Sequence, residues 1–271
     1  MNHVPKTVRI LGLIGAALII LPLLGLVSRA PWTQLWSIAS TGSVRSAIFL
    51  TAVTSIITTC IAVGVGVPLA IVLSERSGGW RWILRALVTL PIVLPPVAGG
   101  IALLAAFGRR GVLGRLLEQW FGITLLGTPA AVVIAQLFVS LPFLVVAVDS
   151  ALQNRDRKIE EAAATLGSSP GRTLRLVTLP GIRPAIVAGA TLAWARAVGE
   201  LGATLTFAGS FPGRTRTVPS SILLLLETDP EAARALAAVL LIVAAAVLIG
   251  LRQRWMGVGS YWSSSATSRD R

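Results

Sequence analysis

Long apolar runs, joined by short polar connections, dominate the 271-residue chain. A helix needs roughly 20 mostly apolar residues to cross about 30 Å of hydrocarbon. Backbone groups inside lipid must be bonded internally, and the runs show no strand-like alternation, so they predict helices. The six candidate spans are residues 10–28, 46–73, 86–107, 130–149, 185–207 and 234–251. The pattern therefore predicts an all-α polytopic membrane protein with about six transmembrane helices.

Composition and charge agree with a membrane chain. Hydrophobic residues make up 54% of the sequence and charged residues 13%, whereas soluble domains carry about 25% charged residues. The net charge of +13 would also suit a nucleic-acid partner. With the N-terminus placed inside, however, 15 of the 24 Lys and Arg residues fall in inner segments and 8 in outer segments. This bias follows the positive-inside rule, so we expect both termini to lie in the cytoplasm. It also accounts for the positive charge by a lipid bilayer, and we expect no nucleic-acid partner.

The pattern divides the chain into three regions. Residues 1–30 are expected to hold an N-terminal transmembrane helix. We favour a retained anchor over a signal peptide because the apolar run exceeds the roughly 7–15 residues of a signal-peptide core and no A-x-A site follows. Residues 44–255 are expected to form the membrane domain, with a cytoplasmic loop at about 155–182. The serine-rich residues 256–271 are expected to be a disordered tail.

Proline and glycine interrupt the third apolar run, "LVTLPIVLPPVAGG". Pro95 and Pro96 remove backbone donors and clash with the preceding turn, and Gly99 follows closely. Such breaks at membrane depth are tolerated where protein or a water-filled cavity surrounds them. In transporters, broken helices expose backbone groups to the substrate. We therefore expect Pro95, Pro96 and Gly99 to border a translocation path.

The fifth run carries two charged residues, Arg196 and Glu200, on one predicted helix face. A lone arginine at the membrane centre costs about 2.5–3.5 kcal/mol on insertion scales, and an ion pair would offset part of that cost. The favoured interpretation is a structural pair that fixes helix packing. The alternative is a gate or an anion contact.

The segment after the fifth run, "SFPGRTRTVPSSILLLL", is placed outside by the charge bias. Arg214 and Arg216 are candidates for steering an anion or contacting a binding protein, and solvated loop charges are an equal alternative. The "SILLLL" stretch is too short to span, so we expect a re-entrant or buried segment.

The sequence offers little chemistry of its own. Its two lysines, Lys6 and Lys158, do not stand in a Gly-Lys-Ser/Thr motif, so we expect no ATP site of the P-loop kind. One histidine, His3, and one mid-span cysteine, Cys60, leave no metal or nucleophile site. If the protein pumps, its energy comes from a partner. An ion-coupled carrier and a membrane enzyme are the rival classes, and the sequence supplies neither an acid relay nor a catalytic constellation for them.

The stretch "IEEAAATLGSSPGRTLRLVTLP", residues 159–180, reads like part of a soluble protein although it lies between two apolar runs. Asp156 is placed to cap a first short helix. Gly167 supplies the left-handed residue that ends it. One apolar stripe on this helix follows the spacing i, i+3, i+4 and i+7. Its members are Ile159, Ala162, Ala163 and Leu166.

A second short helix is expected to start at Ser169 and Pro170 and to end at Pro180 and Pro184, before the fifth span. Helices this short are marginal in water, so the pair must dock onto something. One possibility is the membrane surface, and the other is a groove of a partner protein.

Residues 161–180 resemble the EAA loop of binding-protein-dependent ABC importer permeases. That pattern is E-A-A, three residues, Gly, nine residues, Ile, any residue, Leu-Pro. The matching residues are Glu161, Ala162, Ala163, Gly167, Leu179 and Pro180. Val177 stands where isoleucine is usual. By this resemblance, residues near 158–167 are expected to form the coupling helix that docks on an ATPase subunit.

Two further stretches, "LPIVLPPVAGGIALLAAFGRRGVLG" and "GELGATLTFAGSFPGRTRTVPSSI", are similar to molybdate permeases. The resemblance implies a translocation subunit rather than an enzyme, in the inner membrane of a prokaryote. It also implies a homodimer, separate ATPase subunits that hold ATP and Mg, an extracytoplasmic molybdate-binding protein, and no cofactor in this chain. Sulfate, thiosulfate and tungstate remain alternatives to molybdate, because these anions share shape and charge.

Overall fold

The computed structural model describes residues 5–75, 79–156 and 158–256, with side chains through residue 250. Regular structure in these ranges is entirely helical. The first half holds α1 (Lys6–Ser28), a 3₁₀ turn (Trp32–Gln34), α2 (Leu35–Ser40), α3 (Gly42–Ser74), α4 (Trp80–Val93), α5 (Pro96–Phe107), α6 (Val112–Phe121) and α7 (Pro129–Asn154). The second half holds α8 (Lys158–Thr165), α9 (Pro170–Thr173), a π-helical turn (Leu174–Thr178), α10 (Leu179–Val198), α11 (Gly202–Phe207), α12 (Val218–Thr228) and α13 (Pro230–Met256). The tail expected at 257–271 lies outside the described residues.

Five helices among the described residues are long and apolar enough to cross a membrane. They are α1, α3, α7, the continuous helix Pro170–Val198, and α13 as far as Gly250. A sixth span is obtained if α5 and α6, which meet at an angle of 42°, are taken together. The prediction of an all-α membrane protein with about six spans is confirmed.

The third apolar run does not form one helix. α4 ends at Val93 and α5 begins at Pro96, with Leu94 and Pro95 extended between them. Pro96 occupies the first turn of α5, where its missing N–H has no helical partner to lose. The proline pair therefore ends one helix and starts another, instead of only kinking a single span.

Two expectations about the fifth span were wrong. Pro180 and Pro184 do not end a second loop helix, because the helix runs without a break from Pro170 to Val198. Pro180 would clash with the carbonyl of Leu176, but Leu176 belongs to the π-helical turn, where the bonding register changes. The span also does not reach residue 207 as one helix, because Gly199–Leu201 separate α10 from α11.

The centre of the bundle is formed by α3, α7 and α10, and small residues let them approach closely. A Cβ added at Gly66 of α3 would lie 2.6 Å from Cδ2 of Leu144 in α7. A Cβ added at Gly189 of α10 would lie 3.0 Å from the Cα of the same leucine. Leu144 is fully buried between the two helices. Close packing at small residues is the usual way in which membrane helices associate.

The N-terminal and C-terminal helices pack at the edge. α1 buries none of its residues, and its main neighbour is α13. Asp229 caps α13, because its Oδ1 accepts the N–H groups of Glu231 and Ala232 at 3.2 and 3.1 Å. α12 is too short to span, and only its first turn is buried. The chain therefore surrounds one central bundle with peripheral helices.

Candidate functional site

The loop between α7 and α10 folds as a helical hairpin, and we call the end of the bundle that carries it the loop end. Asp156 Oδ1 accepts the N–H of Lys158 at 3.0 Å at the start of α8. Gly167 has a φ of +81°, a conformation that favours glycine. The N–H of Ser168 donates to the carbonyl of Ala163 at 3.0 Å, which is the bonding pattern of a glycine-ended helix. The first helix thus begins and ends where the sequence predicted.

The apolar stripe of α8 faces away from the protein. Ile159 is 58% exposed, Leu166 is 89% exposed, and Ala162 and Glu161 are also exposed. Only Ala163 of the stripe is half-buried. A surface helix that exposes its apolar side leaves that side available for a partner protein or a membrane surface.

The last two residues of the EAA-like pattern do not share this surface. Leu179 is half-buried and packs against the core cluster that contains Leu144 and Ile182. Pro180 is exposed in the first turn of α10. The pattern therefore combines an exposed helix, a glycine turn and the start of the fifth span. It does not form a single patch.

The breaks of the third and fifth spans lie side by side. A Cβ added at Gly202, the first residue of α11, would lie 2.7 Å from the Cβ of Pro96. One added at Gly100 would lie 2.6 Å from the Cβ of Thr206. Gly99 is also buried, with Phe138 of α7 beside it. The proline break predicted at Pro95 and the unpredicted break at Gly199–Leu201 thus form one region of irregular backbone.

Arg196 and Glu200 form an ion pair of 2.6 Å at this region. Glu200 lies beyond the end of α10, is 1% exposed, and its Oε1 also accepts the N–H of Ala203 at 2.7 Å. The carboxylate therefore caps α11 while it pairs with the last turn of α10. This arrangement agrees with the structural interpretation of the pair.

The two arginines of the segment after α11 differ in their surroundings. Arg216 is half-buried and donates to the hydroxyl and the carbonyl of Ser210, both at 3.3 Å. Arg214 is exposed in a turn where the carbonyl of Phe211 accepts its N–H at 3.1 Å. The Arg216 side chain thus bonds within the loop, whereas Arg214 is exposed.

One network near the loop end was not predicted. Arg85 of α4 pairs with Asp149 of α7, with 3.0 Å between Nε and Oδ2, and Nη2 donates to the carbonyl of Leu73 in α3 at 3.0 Å. Gln153 Nε2 donates to Asp149 at 2.8 Å. The network joins three helices beside a cavity of about 270 Å³. In the sequence, the one indication of this network was that Arg85 and Asp149, which carry opposite charges, lie near the same end of two spans.

These features define a class: an integral membrane protein with broken spans and a helical hairpin that exposes an apolar helix face. The family that matches residues 66–257 is described as the inner membrane component of binding-protein-dependent transport systems. This chain belongs to that family. It is therefore a multi-pass inner membrane transport component and not an enzyme.

Two relatives show how close the similarity is. The chain is 45% identical over 93% of its length to the molybdenum transport system permease protein ModB of Mycobacterium tuberculosis, of which the match covers 96%. It is 40% identical over 64% of its length to the protein of the same name from Escherichia coli, of which 76% is covered.

Solved structures confirm the fold. A bacterial ABC transporter that imports the acidic polysaccharide alginate matches with a TM-score of 0.73 at 18% identity, over 93% of this chain and 95% of the other. The MetNI methionine ABC transporter in an inward-facing conformation matches with a TM-score of 0.63 at 18% identity, over 78% of this chain and 94% of the other. At these identities the likeness concerns the architecture.

Proposed function

We propose that this chain is the membrane-spanning permease subunit of an ATP-driven importer of molybdate. The observation that carries the proposal is the 45% identity to a molybdenum transport permease over nearly the full length of both proteins. The resemblance of "GELGATLTFAGSFPGRTRTVPSSI" to molybdate permeases supports it. The chain lacks a P-loop lysine, so the energy comes from a separate ATPase that holds ATP and Mg.

The ATPase docks on α8. The contact surface consists of Ile159, Ala162 and Leu166. Glu161 lies at the edge of this surface, and Gly167 ends the helix that carries it. A protein groove suits this surface because an amphipathic helix binds by laying its apolar side into such a groove. The positive-inside bias supports a cytoplasmic position for α8 and for both termini. The alternative, a helix resting on the lipid surface, is an outcome of the experiment below.

Two copies of the chain form the translocation unit, and an extracytoplasmic binding protein delivers the anion to it. The second copy is inferred from the resemblance to ABC importer permeases. Arg214 is the better candidate for contact with the binding protein or the anion, since Arg216 already bonds Ser210. A positive charge at the entrance attracts a dianion before it enters.

The joined breaks of the third and fifth spans border the path. Pro95, Pro96 and Gly99 provide irregular backbone there, and the N-terminus of α11 lies beside it. The helix N-terminus attracts negative charge, but Glu200 already occupies it. Arg196 and Glu200 therefore set the shape of the path, and the anion passes without a strong binding site.

Copurification tests the docking of the ATPase. The chain is expressed with the ATPase encoded beside its gene, purified in detergent, and assayed for bound ATPase. Gly167→Asp and Glu161→Lys are compared with Gly213→Asp. Gly213 lies outside the loop, is exposed and has a similar φ of +71°, and an added Cβ there would meet no neighbour. We expect loss of the ATPase from the two loop variants alone. The docking proposal would be contradicted if the ATPase copurified with all variants. It would also be contradicted if the ATPase did not copurify with the unaltered chain.

Sulfate is a second candidate substrate. A probable sulfate transport permease of Chlorokybus atmophyticus is 34% identical over 86% of this chain and 83% of the relative. The decisive measurement is competition: uptake of labelled molybdate in the presence of unlabelled sulfate, thiosulfate or tungstate. Inhibition by sulfate at the concentration at which molybdate itself inhibits would favour the sulfate importer.

A further inference from the structure

Glu160 is a half-buried residue of α8, in contrast to its exposed neighbour Glu161. Its Oε2 lies 2.9 Å from Nη2 of Arg155, in the linker after α7. Its Oε1 accepts the hydroxyl of Thr178, 18 residues further along the chain. Both charged side chains are largely shielded, at 22% exposure for Arg155 and 19% for Glu160. We call these three residues the Glu160 bridge.

Thr178 uses its hydroxyl in an unusual way for this chain. Threonines within its helices typically donate to the carbonyl four residues earlier, as Thr51, Thr165 and Thr191 do. Thr178 instead donates across the loop to Glu160. It is buried and is the last residue of the π-helical turn Leu174–Thr178. Turns of this kind occur frequently at functional sites in helices.

α8 has few other attachments to the bundle. Its main neighbours are α9 and the π-helical turn. A groove of about 420 Å³ extends between the end of α3 and the hairpin, and Glu160 and Thr178 line it. At the far end of α8, the hydroxyl of Thr173 donates to the hydroxyl of Ser168 at 3.0 Å, which holds the glycine turn. The Glu160 bridge is thus the charged link between α8 and the fifth span in the part of the chain that the structure describes.

The helix that Thr178 joins is the one that reaches the path. It runs without a break from Pro170 to Val198 and carries Arg196 in its last turn, beside Glu200 and the break of the fifth span. A continuous helix transmits a displacement along its axis, whereas a loosely attached α8 could tilt without moving it. The bond at Glu160 decides between these two responses.

We propose that Glu160 is a positioning residue that transmits movement of α8 to the fifth span, with Thr178 as its receiving partner. This inference rests on the proposed docking of an ATPase on α8. A hydrogen bond to a charged group stabilises more than a neutral one, so the bond between Thr178 and Glu160 holds α8 more strongly than the neutral bond between Thr173 and Ser168. The exposed Glu161 contacts the ATPase, and Glu160 connects α8 to the fifth span.

The test uses the complete complex of permease, ATPase and binding protein in proteoliposomes, and measures molybdate uptake and ATP hydrolysis in the same preparation. The variants are Glu160→Gln, Thr178→Val and Thr178→Ser. Glu227→Gln, at an exposed residue of α12, is the matched control. For Thr178→Val we expect the ATPase to stay bound and active, while molybdate carried per ATP falls at least about tenfold, the loss expected for one charge-assisted bond. Glu160→Gln keeps an oxygen that accepts from Thr178 but removes the charge and the pairing with Arg155, so we expect a smaller fall in the same ratio. Thr178→Ser, which retains the hydroxyl, and the control keep the ratio of the unaltered complex.

Three results would overturn the inference while leaving the importer itself intact. The first is an unchanged ratio of uptake to hydrolysis in both Glu160→Gln and Thr178→Val. The second is a loss of coupling in Thr178→Ser as severe as that in Thr178→Val. The third is a joint fall of bound ATPase, hydrolysis and uptake, which would make Glu160 part of the docking surface instead. Failure of the unaltered permease to bind an ATPase at all would contradict the proposed function and, with it, this role of Glu160.

Discussion

Gly202 begins α11 directly against Pro96, the first residue of α5, so that two helices start at the same place inside the membrane domain. No side chain larger than hydrogen fits at residue 202, because an added Cβ would lie 2.7 Å from the Cβ of Pro96. The contact joins two breaks that are about 100 residues apart in sequence. α5 and α11 therefore pack closely against each other.

Gly202→Ala should therefore disturb the path. Overpacking a close contact costs about 1–3 kcal/mol, because backbone or side chains must shift. We expect a lower midpoint in thermal unfolding in detergent and at least a severalfold loss of uptake. Gly64→Ala is the matched control, because a Cβ at Gly64 meets no atom within 4 Å. Equal behaviour of the two variants would show that the contact at Pro96 does not constrain the protein.

Arg196→Gln should destabilise the protein more than Glu200→Gln. Glu200 is 1% exposed, so Arg196→Gln leaves a buried carboxylate with only the N–H of Ala203 as its partner. The Arg196 side chain is 28% exposed, so the charge that remains in Glu200→Gln is better placed to find other partners. Removing one partner of a buried pair costs about 3–5 kcal/mol, because the remaining charge loses its partner.

The double variant Arg196→Gln/Glu200→Gln tests whether the two side chains depend on each other. We expect it to be more stable than Arg196→Gln alone, since no unpaired buried charge remains. Thermal unfolding measures this directly. Additive losses in the double variant would mean that the two side chains do not depend on each other.

Arg214→Gln and Arg216→Gln should have different effects on uptake. Arg214 is exposed, so its loss should raise the molybdate concentration needed for half-maximal uptake, and the effect should shrink at high salt. Arg216 bonds Ser210, so its loss should lower the maximal rate by loosening the loop, with little dependence on salt. Identical salt dependence in the two variants would contradict this assignment.

Asp149→Asn should loosen the loop end of the bundle. Asp149 accepts from Arg85 and Gln153, and Arg85 also bonds the carbonyl of Leu73. We expect lower thermal stability and faster hydrogen exchange at the end of α3, because Arg85 is then held by fewer acceptors. Ser150→Ala, at an exposed neighbouring residue, is the control. Unchanged hydrogen exchange in Asp149→Asn would show that the network does not stabilise this end of the bundle.

Much of the fold follows from the sequence, because apolar runs of membrane length leave helices as the available structure. The breaks inside the spans follow less well. Pro95 and Pro96 marked one of them, but only glycines flank the break at Gly199–Leu201. The spacing of Arg196 and Glu200 predicted their pair on the assumption of one helix, yet Glu200 lies beyond the end of α10 and reaches Arg196 from the break.

The continuity of the fifth span could not be predicted, because Pro180 and Pro184 both argue for a helix end. The π-helical turn that accommodates the first proline depends on the packing around Thr178, and a single sequence does not show that packing. The same limit applies to Glu160 and Asp149. Their partners lie 18 and 64 residues away, so local periodicity indicated that they are polar but not what they bind.

ATP-dependent uptake of radiolabelled molybdate tests the central claim most directly. The permease, its ATPase and its binding protein are reconstituted in proteoliposomes, with ATP on the side of the ATPase and molybdate on the side of the binding protein. The account predicts accumulation of molybdate that requires hydrolysable ATP and is abolished by Gly167→Asp. Accumulation driven by an ion gradient without ATP, or no accumulation although the ATPase is bound and active, would contradict it.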